Sequence, residues 1–202
     1  MSRSEQTEQR REAVINAACE IFAKYGYRKA SMQDIAQAAG LSKSVLFKYF
    51  GTKEQLYRTV FSLSAEGIAR ADNAARAERQ EAENVFDTMR RTVDARIQLF
   101  SRSPWIYAFS YAAAFDADPF VRALVTEEYA RRGIDRVREG AYRNLRSDLS
   151  PAMAQKLILW VSQGFLEEKR NMNDTKPETL KREYAQWIDI LERLLTKEGE
   201  TV

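Results

Sequence analysis

Residues 31–50 read SMQDIAQAAGLSKSVLFKYF, and the punctuation of this stretch decides the fold. Ser31, with Asp34 three places on, is a helix N-cap backed by an acid in the first turn, so a helix begins at Met32 and carries Ile35, Ala36 and Ala39. Gly40 ends it, and Ser42 caps a further short helix that runs to Phe50. Two short helices joined by the tight Ala39-Gly40-Leu41 turn, with a third packing them, have the arrangement of a helix-turn-helix.

Helical punctuation continues on both sides. Upstream, Val14, Ile15, Ala18, Ile21, Phe22 and Tyr25 recur at three- and four-residue intervals and stop at Gly26, which predicts a first helix over roughly residues 7–25. Downstream, Thr52 and Gln55 form another capping box and open a fourth helix bearing Leu56, Val60, Leu63 and Ile68. Over residues 75–84, ARAERQEAEN, large apolar residues give way to charge; two helical units divide there, and the absence of Gly and Pro predicts helix rather than a flexible linker. Val85, Phe86, Met89, Val93, Ile97 and Phe100 resume the stripe as far as Ser103-Pro104, and a short aromatic helix follows to Phe115. Asp118-Pro119 opens a long helix expected to reach about Arg146, while Ser150-Pro151 and Thr175-Lys176-Pro177 open the last two. The fold class is all-α with about nine helices. A three-helix helix-turn-helix domain occupies residues 1–55 and is linked by helix four, about 52–75, to a second helical domain over 76–202.

Composition narrows the function. The 202 residues are 45% hydrophobic and 30% charged, with only 8 Gly and 4 Pro, the balance of a globular, helix-rich chain. The 1 Cys excludes a disulfide framework and a thiolate metal site, and Cys19, among Ala17, Ala18 and Ile21, reads as core packing. With 0 His there is no imidazole for general-base work or for holding a transition metal. No GxSxG, Walker, Rossmann or HExxH pattern occurs, and the acid pairs Glu127-Glu128 and Glu167-Glu168 diverge as helix neighbours. No enzymatic activity, cofactor or metal is therefore expected. The polar amino terminus lacks the apolar core of a secretion signal, and the longest apolar run, roughly Trp105–Phe115, is too short to cross a bilayer; the expectation is a cytoplasmic protein with no membrane partner. Of the net charge of +3, residues 1–60 carry about +4 and the remainder about −1, which places the surface suited to a polyanion in the first third.

The helix opened by Ser42 separates a buried side from a presented one. On a wheel, Leu46 and Phe50 stack toward the core with Leu41 beneath, Ser44, Val45 and Lys48 point away, and Lys43, Phe47 and Tyr49 flank them. Such a mixture suits a major groove: Lys43 donates to guanine acceptors, Ser44 to several base edges, and Val45 touches a thymine methyl. Ser31 and Ser42, at helix amino termini, would bind phosphate, with Tyr49, Lys48 and Lys53 clamping the backbone on either side. Two rivals stand beside this reading, a short solvated helix with no partner and a helical adaptor that docks the same domain on protein. The adaptor needs an apolar exposed face, whereas Lys43, Ser44 and Lys48 are polar.

Residues 22–57 closely resemble the amino-terminal signature of the TetR/AcrR family of bacterial transcriptional regulators. The match is carried by Phe22, Tyr25-Gly26, Asp34-Ile35-Ala36, Gly40-Leu41-Ser42, Leu46, Tyr49-Phe50 and Lys53-Glu54-Gln55-Leu56. Two positions depart: Ser44 stands where the family usually has glycine, and Phe47 where tyrosine is usual. Phe47 has no hydroxyl to give a phosphate and keeps a packing role, with Lys48 supplying the phosphate contact. The resemblance implies double-stranded DNA as partner at a near-palindromic operator, a homodimer through the last two helices, and a repressor released by a ligand held in the carboxy-terminal helices. The aromatic segment from Phe100 to Phe120 fits a small hydrophobic or aromatic effector, with Phe100, Trp105, Phe109, Tyr111 and Tyr129 lining a pocket and Trp160 or Phe165 across from them; plain core packing explains the same residues as well. Asp94, Arg96, Asp116, Asp118, Glu127 and Glu128 are the nearby groups that would set the effector's charge.

Overall fold

The computed structural model describes residues 3–77, 84–134, 142, 144–172 and 176–197. Among these residues the chain forms nine helices: α1 (Arg3–Lys29), α2 (Met32–Ala38), α3 (Lys43–Phe50), α4 (Lys53–Ala77), α5 (Val85–Arg102), α6 (Pro104–Ala114), α7 (Pro119–Arg132), α8 (Pro151–Asn171) and α9 (Pro177–Leu195). The fold class is all-α, as the periodicity predicts. The described residues of 1–69 and 102–134 make one compact unit and those of 70–101 and 135–202 another. This division differs from the one drawn at the charged segment 75–84, because α6 and α7 return to the amino-terminal helices.

Rings bring them back. In the first unit α1 lies against α6 and α2, α2 against α3, and α6 against α7. Tyr57 of α4 meets Phe22, Tyr27, Phe109 and Phe120 edge to face, with centroids 4.7, 5.1, 5.1 and 5.9 Å away. Phe61 stands 6.1 Å from Phe109 and lies nearly parallel to Tyr129 at 6.0 Å. Each such pair adds about 0.5–1.5 kcal/mol beyond the area it buries, so the cluster helps to hold α6 and α7 where they pack. Burial pushes the Tyr57 phenol far above its ordinary range and does the same to the fully buried Cys19 thiol, so both stay neutral.

A second tie in this unit is polar. α1 is broken at Gly26, where φ is 70° and ψ 171°, and the turn that follows is gripped by the α6–α7 connection. The Tyr27 N–H donates to Asp116 Oδ2 at 3.0 Å and Arg28 Nε donates to Asp118 Oδ2 at 2.8 Å. The remaining oxygens are used locally: Asp116 Oδ1 accepts from the Asp118 N–H, and Asp118 Oδ1 accepts from the Phe120 N–H to cap α7, both at 2.9 Å.

The long helix expected to run to about Arg146 is shorter. α7 ends where Gly133 turns left-handed (φ 65°, ψ 26°) and the Ile134 N–H reaches back to the Tyr129 carbonyl at 3.0 Å. Residues 135–141 and 143 lie outside the described set, and Leu145 instead pairs in an isolated antiparallel bridge with Thr196.

The second unit has its own apolar core, built from Val85, Phe86, Ala154, Ile158, Ile188, Leu191 and Leu195, with Met89, Val93, Leu157, Val161 and Tyr184 packed against it. Asp72, fully buried on α4, is held by both arms of Arg96 at 2.8 and 2.7 Å. Pairing of this two-pronged kind is what makes a buried carboxylate tolerable.

The latch at Asp118 should show itself in acid. The hydrogen bond from Arg28 holds this carboxyl below its ordinary value, so its contribution is complete above the ordinary carboxylate range and is lost as pH falls through the lowered folded value. Asp118→Asn keeps the α7 cap and removes the charge. The gap in thermal midpoint between the native protein and this variant should stay constant above about pH 5 and narrow below about pH 4. A gap that does not change with pH would show that the ion pair adds nothing.

Candidate nucleic-acid interface

The site begins with two caps and a turn. Ser31 is extended (φ −117°, ψ 150°), its Oγ accepts from the Asp34 N–H at 3.1 Å, and its hydroxyl donates to Asp34 Oδ2 at 2.7 Å. α2 buries Met32, Ile35 and Ala36. It closes when the Gly40 N–H bonds the Gln37 carbonyl (3.1 Å) and the Leu41 N–H bonds the Ala36 carbonyl (2.9 Å), the doubly bonded helix end that requires a left-handed residue. Gly40 supplies it at φ 67°; the space beside it is open, so backbone conformation alone selects glycine, at a cost of about 1–2 kcal/mol for other residues.

α3 is anchored by Leu46, which is wholly buried. Ser42 caps it, accepting from the Val45 N–H at 3.4 Å while its hydroxyl lies 3.0 Å from that of Ser44. Lys43, Ser44, Phe47, Lys48 and Tyr49 are exposed, and Val45 and Phe50 are half-buried. The first turn of α3 holds no acid and begins with a lysine, so cation, hydroxyls and the positive end of the helix dipole coincide. Such an end is suited to an anion. Gly51 (φ 69°) stops the helix, and Thr52 and Gln55 then exchange the two bonds of the expected capping box: Gln55 N–H to Thr52 Oγ1 at 3.2 Å and Thr52 N–H to Gln55 Oε1 at 2.8 Å. The backbone at Gly51 (φ 69°, ψ −131°) is one that side-chain-bearing residues rarely adopt, so conformation selects glycine here, and a Cβ would in addition displace the Gln55 side chain from its bond.

Lys53 does not share the outward face with Lys43 and Lys48. Its ammonium turns to the end of α1 and donates to the carbonyls of Tyr27 (2.9 Å), Ala30 (3.1 Å) and Arg28 (3.3 Å), 4.6 Å above the Tyr27 ring. Those carbonyls are the acceptors a helix end leaves open, and a lysine is the side chain long enough to cap three at once. A hint was available in the sequence. Lys53 opens α4, where the helix dipole disfavours a cation unless acceptors draw it elsewhere.

Residues 14–60 match the family described as bacterial regulatory proteins, tetR family. The likeness to that family lies in the amino-terminal quarter of the chain. Among its relatives, the HTH-type transcriptional activator FasR of Mycolicibacterium smegmatis is 30% identical over 121 residues, which is 58% of this chain and 52% of that protein. The chain spans about half or less of the length of the curated relatives it matches. In fold it is similar to the fatty acid degradation regulator FadR of Bacillus halodurans, with a TM-score of 0.64 and 17% identity over 88% of this chain and 96% of that one. NalD of Pseudomonas aeruginosa, the secondary repressor of the MexAB-OprM multidrug efflux pump, gives a TM-score of 0.64 at 15% identity over 96% of this chain and 100% of its own.

The aromatic residues expected to hold a ligand have varied surroundings. Phe109 is fully buried among Phe22, Tyr57 and Phe61, and Tyr129 stacks on Phe61. Tyr111 stands between Tyr107 and Phe115 at 5.8 and 5.3 Å, and Phe100 and Trp105 are half-buried. Phe165 is buried against Tyr184 at 5.3 Å, while Trp160 is 62% exposed on α8. Several of the charged groups named with them are engaged within the protein: Arg96 by Asp72, Asp94 by Lys181 at 2.9 Å, Asp116 and Asp118 by the α1 break. Burial pushes the Glu128 carboxyl up, but hydrogen bonds from Arg131 and Arg132 outweigh this and leave it below its usual range. Two open grooves indent the first unit, one of about 420 Å³ along Arg58, Ser62, Leu124 and Glu128, the other of about 450 Å³ along Ile21, Tyr25, Lys29 and Asp34. None of the expected ligand residues lines either groove. Among the described residues there is no cluster of acidic, cysteine or histidine side chains fit for a metal, and no helix long and apolar enough to cross a membrane.

Removing the Lys53 ammonium tests its place in the fold. Lys53→Met should cost about 0.5–1.5 kcal/mol in denaturant unfolding, the loss of a charged donor from three carbonyls that water still partly reaches. An unchanged midpoint would place the ammonium in solvent.

Proposed function

We propose that the chain is a cytoplasmic, homodimeric, sequence-specific DNA-binding transcriptional regulator, a repressor released from a near-palindromic operator by a small hydrophobic or aromatic ligand. One observation carries the DNA-reading part: α3 buries Leu46 completely and turns Lys43, Ser44, Lys48 and Tyr49 to solvent beside a helix end that lacks an acid. Lys43 and Ser44 sit where base edges are read, and Ser31, Ser42, Lys48 and Tyr49 where phosphates are held. Lys53 acts beneath them by holding the ends of the reading unit together. An adaptor that docks on protein through the same face is not favoured, because that face is cationic and hydroxyl-bearing.

Dimerisation is assigned to the outer side of α8 and α9. Met153, Leu159 and Trp160 on α8 and Trp187 and Leu194 on α9 are large apolar residues left exposed, and the surface beside Gly164 is open. Apolar exposure of this kind is characteristic of an interface, and two copies of the chain reading one near-palindromic operator would meet half-sites about 34–36 Å apart. In this division of labour residues 1–55 read DNA and 76–202 hold the effector and the partner, with α4 as the link. Phe100, Trp105 and Tyr111, half-buried, are the residues to probe for the effector, since Phe109 and Tyr129 are committed to ring packing. FasR is an activator and NalD a repressor, so the position of the selected operator relative to its promoter fixes the sign here.

Duplex selected in vitro by the purified protein tests the reading. Lys43→Ala should cost about 1–3 kcal/mol on that duplex and relax preference at one base pair per half-site. Lys48→Ala should weaken selected and random duplex alike and reduce the salt slope by about 1. Equal losses on both duplexes for Lys43→Ala would remove it from base readout. For the dimer, Trp160→Glu should shift sedimentation from dimer to monomer; an unshifted dimer would move the interface elsewhere.

A further inference from the structure

Phe47 is at odds with its surroundings. Of the two large rings that this eight-residue helix leaves exposed, Tyr49 carries a hydroxyl and Phe47 does not; Phe47 is 42% exposed among the cationic and hydroxyl groups of the presented face. Lys43, one turn before it, holds its Nζ 5.8 Å from the centre of the Phe47 ring. Ser44 lies three residues before it and Lys48 directly after, both exposed. An aromatic ring left in water gains by being covered with apolar surface, and it has no hydroxyl with which to hold a phosphate. The apolar feature that the major groove presents is the C5-methyl of thymine.

We propose that Phe47 is a specificity-determining residue that reads a thymine C5-methyl in each half-site, while its ring steadies the Lys43 ammonium for the acceptors of a neighbouring base pair. The inference rests on α3 being the DNA-reading helix and adds to it the base that the ring selects. Val45, to which sequence reasoning gives the methyl contact, is half-buried and offers less surface than the ring. The cation over the ring has a further effect. It keeps the Lys43 charge close to α3, so loss of the ring loosens the lysine as well as the methyl contact.

The experiment uses the full chain and the duplex it selects in vitro. Each thymine is replaced singly by uracil, which differs only in lacking the methyl. At one position or more per half-site the substitution should weaken the native protein about fourfold, the factor that burial of one methyl group gives. Phe47→Ala should bind the thymine and uracil duplexes equally, and Phe47→Tyr, which restores the ring, should recover the fourfold ratio. The inference is overturned if no uracil substitution weakens binding, or if Phe47→Ala keeps the ratio. No preference for the selected duplex over a random one would remove the DNA-reading assignment of α3 itself, and this inference with it.

Discussion

The base of the reading segment is tied by a single ammonium group. Lys53 lies at the start of α4 and caps the carbonyls of Tyr27, Arg28 and Ala30 at the end of α1, so it fastens together the two ends of the segment that contains α2, the turn and α3. A pair of helices of seven and eight residues is far too short to be stable alone, since helix nucleation is costly and each makes few internal bonds. The bonds at its base offset part of the freedom the segment loses on folding, and the caps at Ser31, Gly40 and Ser42 set its internal geometry. Leu46 needs only to fill the space left between α2 and the long helices.

A carboxylate pair and a ring cluster hold the same base from the other side. Asp116 and Asp118 grip the residues just after the α1 break, and Tyr57, Phe109 and Phe120 pack beneath them. The segment between α1 and α2 is thus constrained from α4 and from the α6–α7 connection together.

The local features of this arrangement could be read from the sequence, and the long-range ones could not. Ser31, Ser42 and Thr52 act within three or four residues of themselves, and Gly40 acts on its own backbone, so the residue types suffice to place them. The end of α7 was also written in the chain, as two arginines followed by Gly133, but apolar spacing continues past it and masks the stop. Asp116 and Tyr27 are a different case, for they are 89 residues apart, and nothing in the spacing of either shows the other. Periodicity likewise marks Phe109 and Trp160 as apolar positions without showing which is covered: the first is sealed among rings and the second lies open on α8.

Cys19 is the sole cysteine in the chain, lies with no exposed surface beside Phe22, and keeps its thiol protonated. Thiolate is the reactive form, so alkylating reagents and peroxide find nothing to attack while α1 is packed. The residue is therefore a native clock for opening of the amino-terminal unit: the rate at which it takes up a maleimide measures how often these helices part, and contacts that fasten the base of the reading unit slow it.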